Sequence, residues 1–378
     1  MMPFFVRKCS ALLRKFRPAA VFKMFLPGVL PLLIAADGGP NYLALYADPA
    51  RIWGRGVEGV IEEAHRLCFK TYIVGDRVMN LRIPFAQNNE RDTLSEQGWT
   101  FLGGGKSGPA GLWPEIDQIL ASEDFKHYAG VLSDPGEKVI TFDIPGRSWT
   151  VSRDIFDLGR MKVGSYGGLP HRPDVLVSGR GIREADVYNY LYCVGWTGVD
   201  CSGYVWHVLS HIARTGGVDL NRALSRSLGI PRGSNPAWYA GTWFFDSDRS
   251  ELQAVPDRIS NLRPADILLF RGSSGAVVHS AVIQSVDASS GLIRYLQSTD
   301  EAPQDERGVH DSFIHFDPVR DKTLMDSGLI WTQSRYPPFP GEAASPFSDD
   351  GGRYRAFGGG RVVRLKIIAP AVNRINRR

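Results

Sequence analysis

The sequence predicts an α+β protein in which an amphipathic helix packs on an antiparallel sheet. Val205, Val208, Leu209 and Ile212 recur at i, i+3, i+4 and i+7, the apolar stripe of a helix of about three turns. Downstream, the apolar runs 267–271, 277–285 and 292–297 are separated only by 272–275 and 287–291. Those links are too short for a crossover helix, so the three runs form a meander. The 41 Gly and 24 Pro among 378 residues argue for the same turn-rich body and against a helical bundle.

From the N-terminus, residues 1–36 form a basic leader. Met24–Ile34 (MFLPGVLPLLI) has the length of a signal-peptide core and precedes the small pair Ala35-Ala36. Two readings stay open: an export signal, with a periplasmic or extracellular product, or a first helix with a basic face on a cytoplasmic protein. No apolar run reaches the roughly 18–20 residues of a bilayer span, so no integral membrane span is expected.

Residues 37–180 form a mixed N-terminal region whose role the sequence does not reveal. A helix is predicted over Val57–Phe69 with Cys68 on its buried face, and another over Trp113–Leu120 starting at Pro114. Strands are predicted at Val139–Ile144 and Ser148–Val151, around the Pro145-Gly146 turn. Gly103–Ser107 imitates the end of a phosphate-binding loop, but Thr100 stands where that motif needs glycine.

The patterned unit is 181–370. It holds a helix at Ile182–Leu191, the helix after Cys201, an insertion over 214–260, the meander, a Pro- and Gly-rich loop at 336–360 and a last strand at Arg361–Ile368. Residues 371–378 are expected to be a basic tail.

Charge narrows the function class. The 44 Lys and Arg exceed the 40 Asp and Glu by four, and the excess lies at the ends. Residues 1–23 and 361–378 carry six basic residues each and no acid, so the body between them is acidic. No nucleic-acid partner is expected for such a body. The four cysteines show no CxxC spacing, which argues against a zinc site or a disulfide scaffold.

One thiol stands out. Cys201 opens a helix, where free backbone N–H groups and the helix dipole favour a thiolate. A nucleophilic thiol needs a histidine base and a third polar group to orient it. His279 lies in a strand of apolar and small residues, and the next strand carries Gln297.

Together these segments resemble the NlpC/P60 cysteine peptidases. VDCSGYVWHVL (199–209) is similar to the family's Asp-Cys-Ser-Gly nucleophile motif. LRPADILLFRG (262–272) resembles its Leu-x-Pro-Gly-Asp strand entry, with Ala265 in place of glycine. VVHSAVI (277–283) resembles the strand of the base, and YLQST (295–299) the segment of the orienting residue. The resemblance covers about 182–300.

It implies a papain-like core, with the sheet packed on the nucleophile helix and Cys201, His279 and Gln297 as the catalytic set. His310 and His315 follow closely enough to compete with Gln297. Tyr188 or Tyr190 would take the place of a tyrosine that precedes the nucleophile, and Asp200 and Ser202 would support the turn. The implied reaction is thiol-dependent hydrolysis of peptidoglycan stem peptides, of the D-Glu–diamino acid type, through an acyl-thioester and without metal or organic cofactor. An acyltransferase or other amidase on the same scaffold is the first alternative, and a catalytically degenerate wall- or partner-binding protein the second. The long interval between Cys201 and His279 makes 214–260 an insertion. Its aromatics, Trp238, Tyr239, Trp243, Phe244 and Phe245, would either line a groove or pack the insertion down.

Overall fold

The computed structural model describes residues 56–74, 77–85, 109–123, 125, 126, 129, 139–144, 147–152, 155, 156, 174, 175, 187, 188, 190, 191, 198–225, 227–229, 231, 239, 241–299, 308–320, 322–332 and 350–378. The leader at 1–36, the 103–107 run, Trp238, most of 182–191 and the 336–349 loop lie outside these residues.

Val57, Ile61 and Ala64 recur on one buried face of helix α1 (Val57–Arg66). The helix stops short of the expected Phe69 because Phe69 opens strand β1 (Phe69–Val74), pairing with Arg82 at the end of β2 (Arg77–Arg82). Helix α2 spans Pro109–Leu120, so Pro114 lies inside it and not at its start. Strands β3 (Val139–Ile144) and β4 (Arg147–Ser152) form a hairpin, and β5 (Ile155–Phe156) pairs with β6 (Asp174–Val175).

Helix α3 (Cys201–Thr215) follows, then α4 (Leu220–Ser225), α5 (Thr242–Phe245) and β7 (Leu252–Val255) within the predicted insertion. The meander is β8 (Ile267–Arg271), β9 (Val277–Asp287) and β10 (Leu292–Thr299). Beyond it come β11 (Gly308–His315), β12 (Ile330–Thr332), α6 (Asp350–Arg355), β13 (Arg361–Leu365) and α7 (Ala369–Asn376). The main sheet is ordered β12-β11-β10-β9-β8-β13-β7, and its neighbours are antiparallel throughout. The protein is therefore α+β.

Helices and hairpins cover the sheet unequally. On one face, Val205, Val208, Leu209 and Ile212 of α3 join Val282, Leu296, Val363 and the buried side chains of α1 and α7 in one core. Each such side chain contributes roughly 1.5–3 kcal/mol when fully buried. The opposite face gathers Phe270, Ala281, Ile283, Tyr295, Trp331 and Tyr354 in a second core. The first core runs continuously across the boundary expected at 180.

The C-terminus is more structured than its charge suggests. The last strand ends at Leu365, and the segment expected as a tail is α7, started by a proline in its first turn. Its Ala371 lies so close to Gly216 that a Cβ on that glycine would fall 2.3 Å from the alanine methyl. Arg374 donates to the Gly216 carbonyl at 2.8 Å, satisfying the C-terminus of α3. At the other end of α7, Asn376 accepts from the Val57 N–H at 2.9 Å and so caps α1.

Two buried ion clusters fix the sheet. Asp266 is fully buried and takes both Nε (2.6 Å) and Nη2 (2.8 Å) of Arg364, locking β8 to β13. Glu62 of α1 accepts from Arg294 Nη1 at 2.6 Å, and Arg294 Nε donates to Asp311 at 2.7 Å. Asp311 also meets His65, whose Nδ1 pairs with the Tyr204 hydroxyl of α3 at 2.7 Å.

Ala265, the residue in the glycine position of the strand entry, has φ 74°. A side chain is disfavoured there by roughly 1–2 kcal/mol because its Cβ crowds the carbonyl. Replacing it with glycine is expected to raise the urea midpoint, with stabilisation of about 1 kcal/mol at unchanged m-value. An unchanged or lower midpoint would refute the strain at this position.

Candidate functional site

Cys201 is the first residue of α3 and is 7% exposed. Asp200 is the N-cap: its carboxylate accepts from the Gly203 N–H at 2.5 Å and from the Ser202 hydroxyl at 3.2 Å. Acidic Asp200 is thus committed to the helix turn, and buried Ser202 to Asp200. Val199 is held from two sides, its N–H by the Pro84 carbonyl at 2.9 Å and its carbonyl by the Ser298 hydroxyl at 2.7 Å.

His279 is 4% exposed on β9, opposite Phe270 of β8, and the ladder is irregular at the next pair. Such irregularities re-aim side chains. Its Nε2 lies 2.5 Å from Gln297 Oε1 on β10. The Gln297 amide nitrogen donates to Ser312 Oγ at 2.8 Å and to Asp350 Oδ2 at 2.8 Å, and approaches His310 Nε2 at 3.4 Å. His310 sits directly across the β10–β11 ladder from Gln297.

These partners assign the protons. A carbonyl only accepts, so His310 Nδ1, 3.0 Å from the Gly308 oxygen, carries hydrogen and leaves Nε2 as an acceptor. A carboxylate also only accepts. The Gln297 nitrogen therefore faces Asp350 and His310, and its oxygen faces His279. That oxygen has no hydrogen, so His279 donates from Nε2. Its Nδ1 then carries the lone pair, and makes no hydrogen bond to any described residue.

Burial pushes the His279 imidazole down to about 4; Arg353 acts in the same direction, against Asp350 and Gln297. Burial also pushes His310 down to about 4, with Arg82 adding to it and the Gly308 carbonyl, Asp350 and Asp311 opposing. Both rings are neutral at pH 7, as a proton acceptor at Nδ1 requires.

The residues picked from the sequence are brought together to different degrees. His279 and Gln297 are in direct contact. Cys201 is not shown in contact with them; the described link is that Ser298, the residue after Gln297, holds the carbonyl of Val199, two residues before Cys201. As successive strand residues, Ser298 and Gln297 face opposite sides of the sheet. Helix α3 packs on β9 and β10 from the Ser298 side.

Tyr188 accepts from the Arg82 N–H at 3.0 Å, and the adjoining Ile83 and Pro84 carbonyls take the N–H groups of Val309 and Val199. Tyr190 packs edge-on against Phe125, 5.1 Å between ring centres. Tyr188 is thus tied to the frame of the site, and Tyr190 to α2's side of the core. His315 lies at the far end of β11, opposite Leu292, away from Gln297.

Within the insertion, Phe244 and Phe245 are fully buried and stack on Trp206, with ring centres 5.5 and 4.9 Å away. They anchor the insertion to α3. Trp243 remains 44% exposed, and Thr242 donates to the Val277 carbonyl, placing α5 beside the start of β9. Among the described insertion aromatics Trp243 is the exposed one, on the helix beside the start of β9.

Sequence reasoning missed Ser312 and Asp350. Ser312 alternates inward with His310 and Ile314 along β11, a signal weakened because two of the three inward residues are polar. Asp350 had no local signal: it lies within 336–360, expected to be a loop throughout, where the structure instead has helix α6 over Asp350–Arg355. Among the described residues, no three His, Cys, Asp or Glu side chains gather as a metal site, and no helix is long and apolar enough to cross a membrane. No family model, no curated protein and no solved structure matches this chain.

Proposed function

We propose that the protein is a papain-like cysteine hydrolase of the NlpC/P60 type, cleaving amide bonds in peptidoglycan stem peptides. The observation that carries the reading is the 2.5 Å bond between His279 Nε2 and Gln297 Oε1. An imidazole so held keeps its lone pair at Nδ1, and Val199, two residues before the helix-opening Cys201, is held by Ser298, the neighbour of Gln297 in β10.

In this mechanism Nδ1 takes the Cys201 proton as Sγ attacks the scissile carbonyl. The protonated ring then gives that proton to the leaving amine, and water, deprotonated by the same nitrogen, resolves the thioester. The Cys201 backbone N–H, at the first turn of α3 where helix N–H groups point out of the helix, is the natural donor to the oxyanion. Contact between thiol and imidazole in the substrate complex is part of this proposal. A wall substrate also agrees with the export reading of residues 1–36.

Mass spectrometry of peptidoglycan digested by the wild-type protein is expected to show stem peptides split after D-Glu, and Cys201→Ala to leave them whole. Full cleavage by that variant would overturn the assignment. Adding amine acceptors separates the alternatives on the same scaffold, because an acyltransferase would yield acceptor conjugates instead of free acid. A thiol probe that labels Cys201 no faster than Cys68 would favour the binding-protein reading.

A further inference from the structure

We propose that Asp350 is a positioning residue that holds the Gln297 amide in the one orientation able to set the proton on His279. The inference rests on the catalytic reading above and adds a residue to it, on an element far from the resemblance. Asp350 is 1% exposed, at the start of α6, and its Oδ2 accepts from both Gln297 Nε2 (2.8 Å) and the Tyr295 hydroxyl (2.6 Å). Tyr295 thus fixes the oxygen that fixes Gln297.

The need for such a residue follows from the chemistry of an amide. Gln297 turned by 180° about its last torsion fits the same space, but would point an N–H at His279. His279 would then carry its proton on Nδ1, and the nitrogen required to accept from Cys201 would be a donor. Of the three acceptors around the Gln297 nitrogen, Ser312 is indifferent, since a hydroxyl both donates and accepts. His310 is 3.4 Å away and neutral. Asp350 is the close partner that accepts only, so the flipped amide would set a carbonyl oxygen against a buried carboxylate. Here an acid acts on the base through the orienting residue, without touching the imidazole.

The test is the tautomer of His279 read by nitrogen-15 NMR at neutral pH on the folded protein, alongside kcat and KM on a purified stem peptide. Wild type is expected to show the Nε2–H form. Asp350→Asn, whose amide oxygen still accepts from Gln297 and Tyr295, is expected to keep that form and to keep kcat within about threefold. Asp350→Leu is expected to mix the two tautomers. It should lower kcat by roughly 10- to 100-fold at unchanged KM, a fraction of the 10²–10⁴ that a positioned base contributes. If the leucine variant does not fold, Asp350→Ser, whose hydroxyl is too short to reach Gln297, carries the same expectation. An Asn variant as impaired as Leu, or a Leu or Ser variant with the wild-type tautomer, would overturn the proposal. The tautomer is readable without turnover: a wild type that holds Nε2–H but cleaves nothing defeats the proposed function and leaves the role of Asp350 standing.

Discussion

Acid is expected to unfold this protein from the site outward, with most of the loss between pH 6.5 and 4. His279 and His310 are both buried, and both are pushed down to about 4 chiefly by that burial. In the unfolded chain each titrates near 6.5. The unfolded state therefore binds protons first as the pH falls, so their contribution is intact above about pH 6.5 and lost on the way down through 4. Integrated to pH 4, a ring so shifted costs on the order of 3 kcal/mol, against a typical margin of roughly 5–15 kcal/mol. His207, bonded to the Ala64 carbonyl and also pushed down to about 4 by burial, acts in the same direction. Urea unfolding at a series of pH values should show this slope, and His310→Gln should make it shallower. Equal stability at pH 7 and pH 4.5 would show that these rings do not remain neutral in the folded state. Because both rings contact Gln297, activity should fall with the same profile.

The parts of the fold legible in the sequence are those whose burial follows a simple period. Helix α3 shows its stripe and its Asp200 cap, and β8, β9 and β10 show apolar runs bounded by short turns. Strand β11 was missed because two of its three alternating inward residues, His310 and Ser312, are polar and pair with Gln297, leaving Ile314 alone to mark the strand. Helix α7 was missed because only Ala371 and Ile375 of its residues are buried, amid basic residues that suggest a solvated tail. The close approach that gives it a place is visible only from Gly216. At the site, Cys201, His279 and Gln297 each lie in a recognisable local motif. Asp350 does not, since its partners lie more than 50 positions earlier in the chain, and no local pattern records a contact of that range. The choice between Tyr188 and Tyr190 was likewise beyond the sequence. Tyr188 accepts from the Arg82 backbone N–H of another element, and Tyr190 packs on Phe125, contacts that no local pattern records.

The proposed chemistry demands that Cys201 and His279 act as a unit, which gives a sharper outcome than loss of activity alone. Cys201→Ala and His279→Ala are each expected to lower kcat/KM on a stem peptide by at least about a thousandfold, since either change leaves no thiolate formed on demand. The double variant should be no worse than Cys201→Ala, because removing a base from a site without its nucleophile changes nothing further. Gln297→Ala should fall between wild type and these, roughly 10- to 100-fold down, since it frees the ring to rotate and change tautomer without removing it. A thiol probe supplies the control. Cys68 is fully buried, its thiol pushed up by that burial and its sulfur 3.8 Å from the Ala64 carbonyl, so it should react slowly. Labelling is therefore expected to vanish in Cys201→Ala and to slow in His279→Ala. Losses that multiply in the double variant would mean two independent roles, and a His279→Ala protein labelled as fast as wild type would mean that the imidazole does not serve the thiol. Ser298 and Gln297 face opposite sides of the sheet, so the proposed chemistry stands on Nδ1 and the thiol reaching one another across that change of face. Coupling between the two variants is the measurement that reports whether they do.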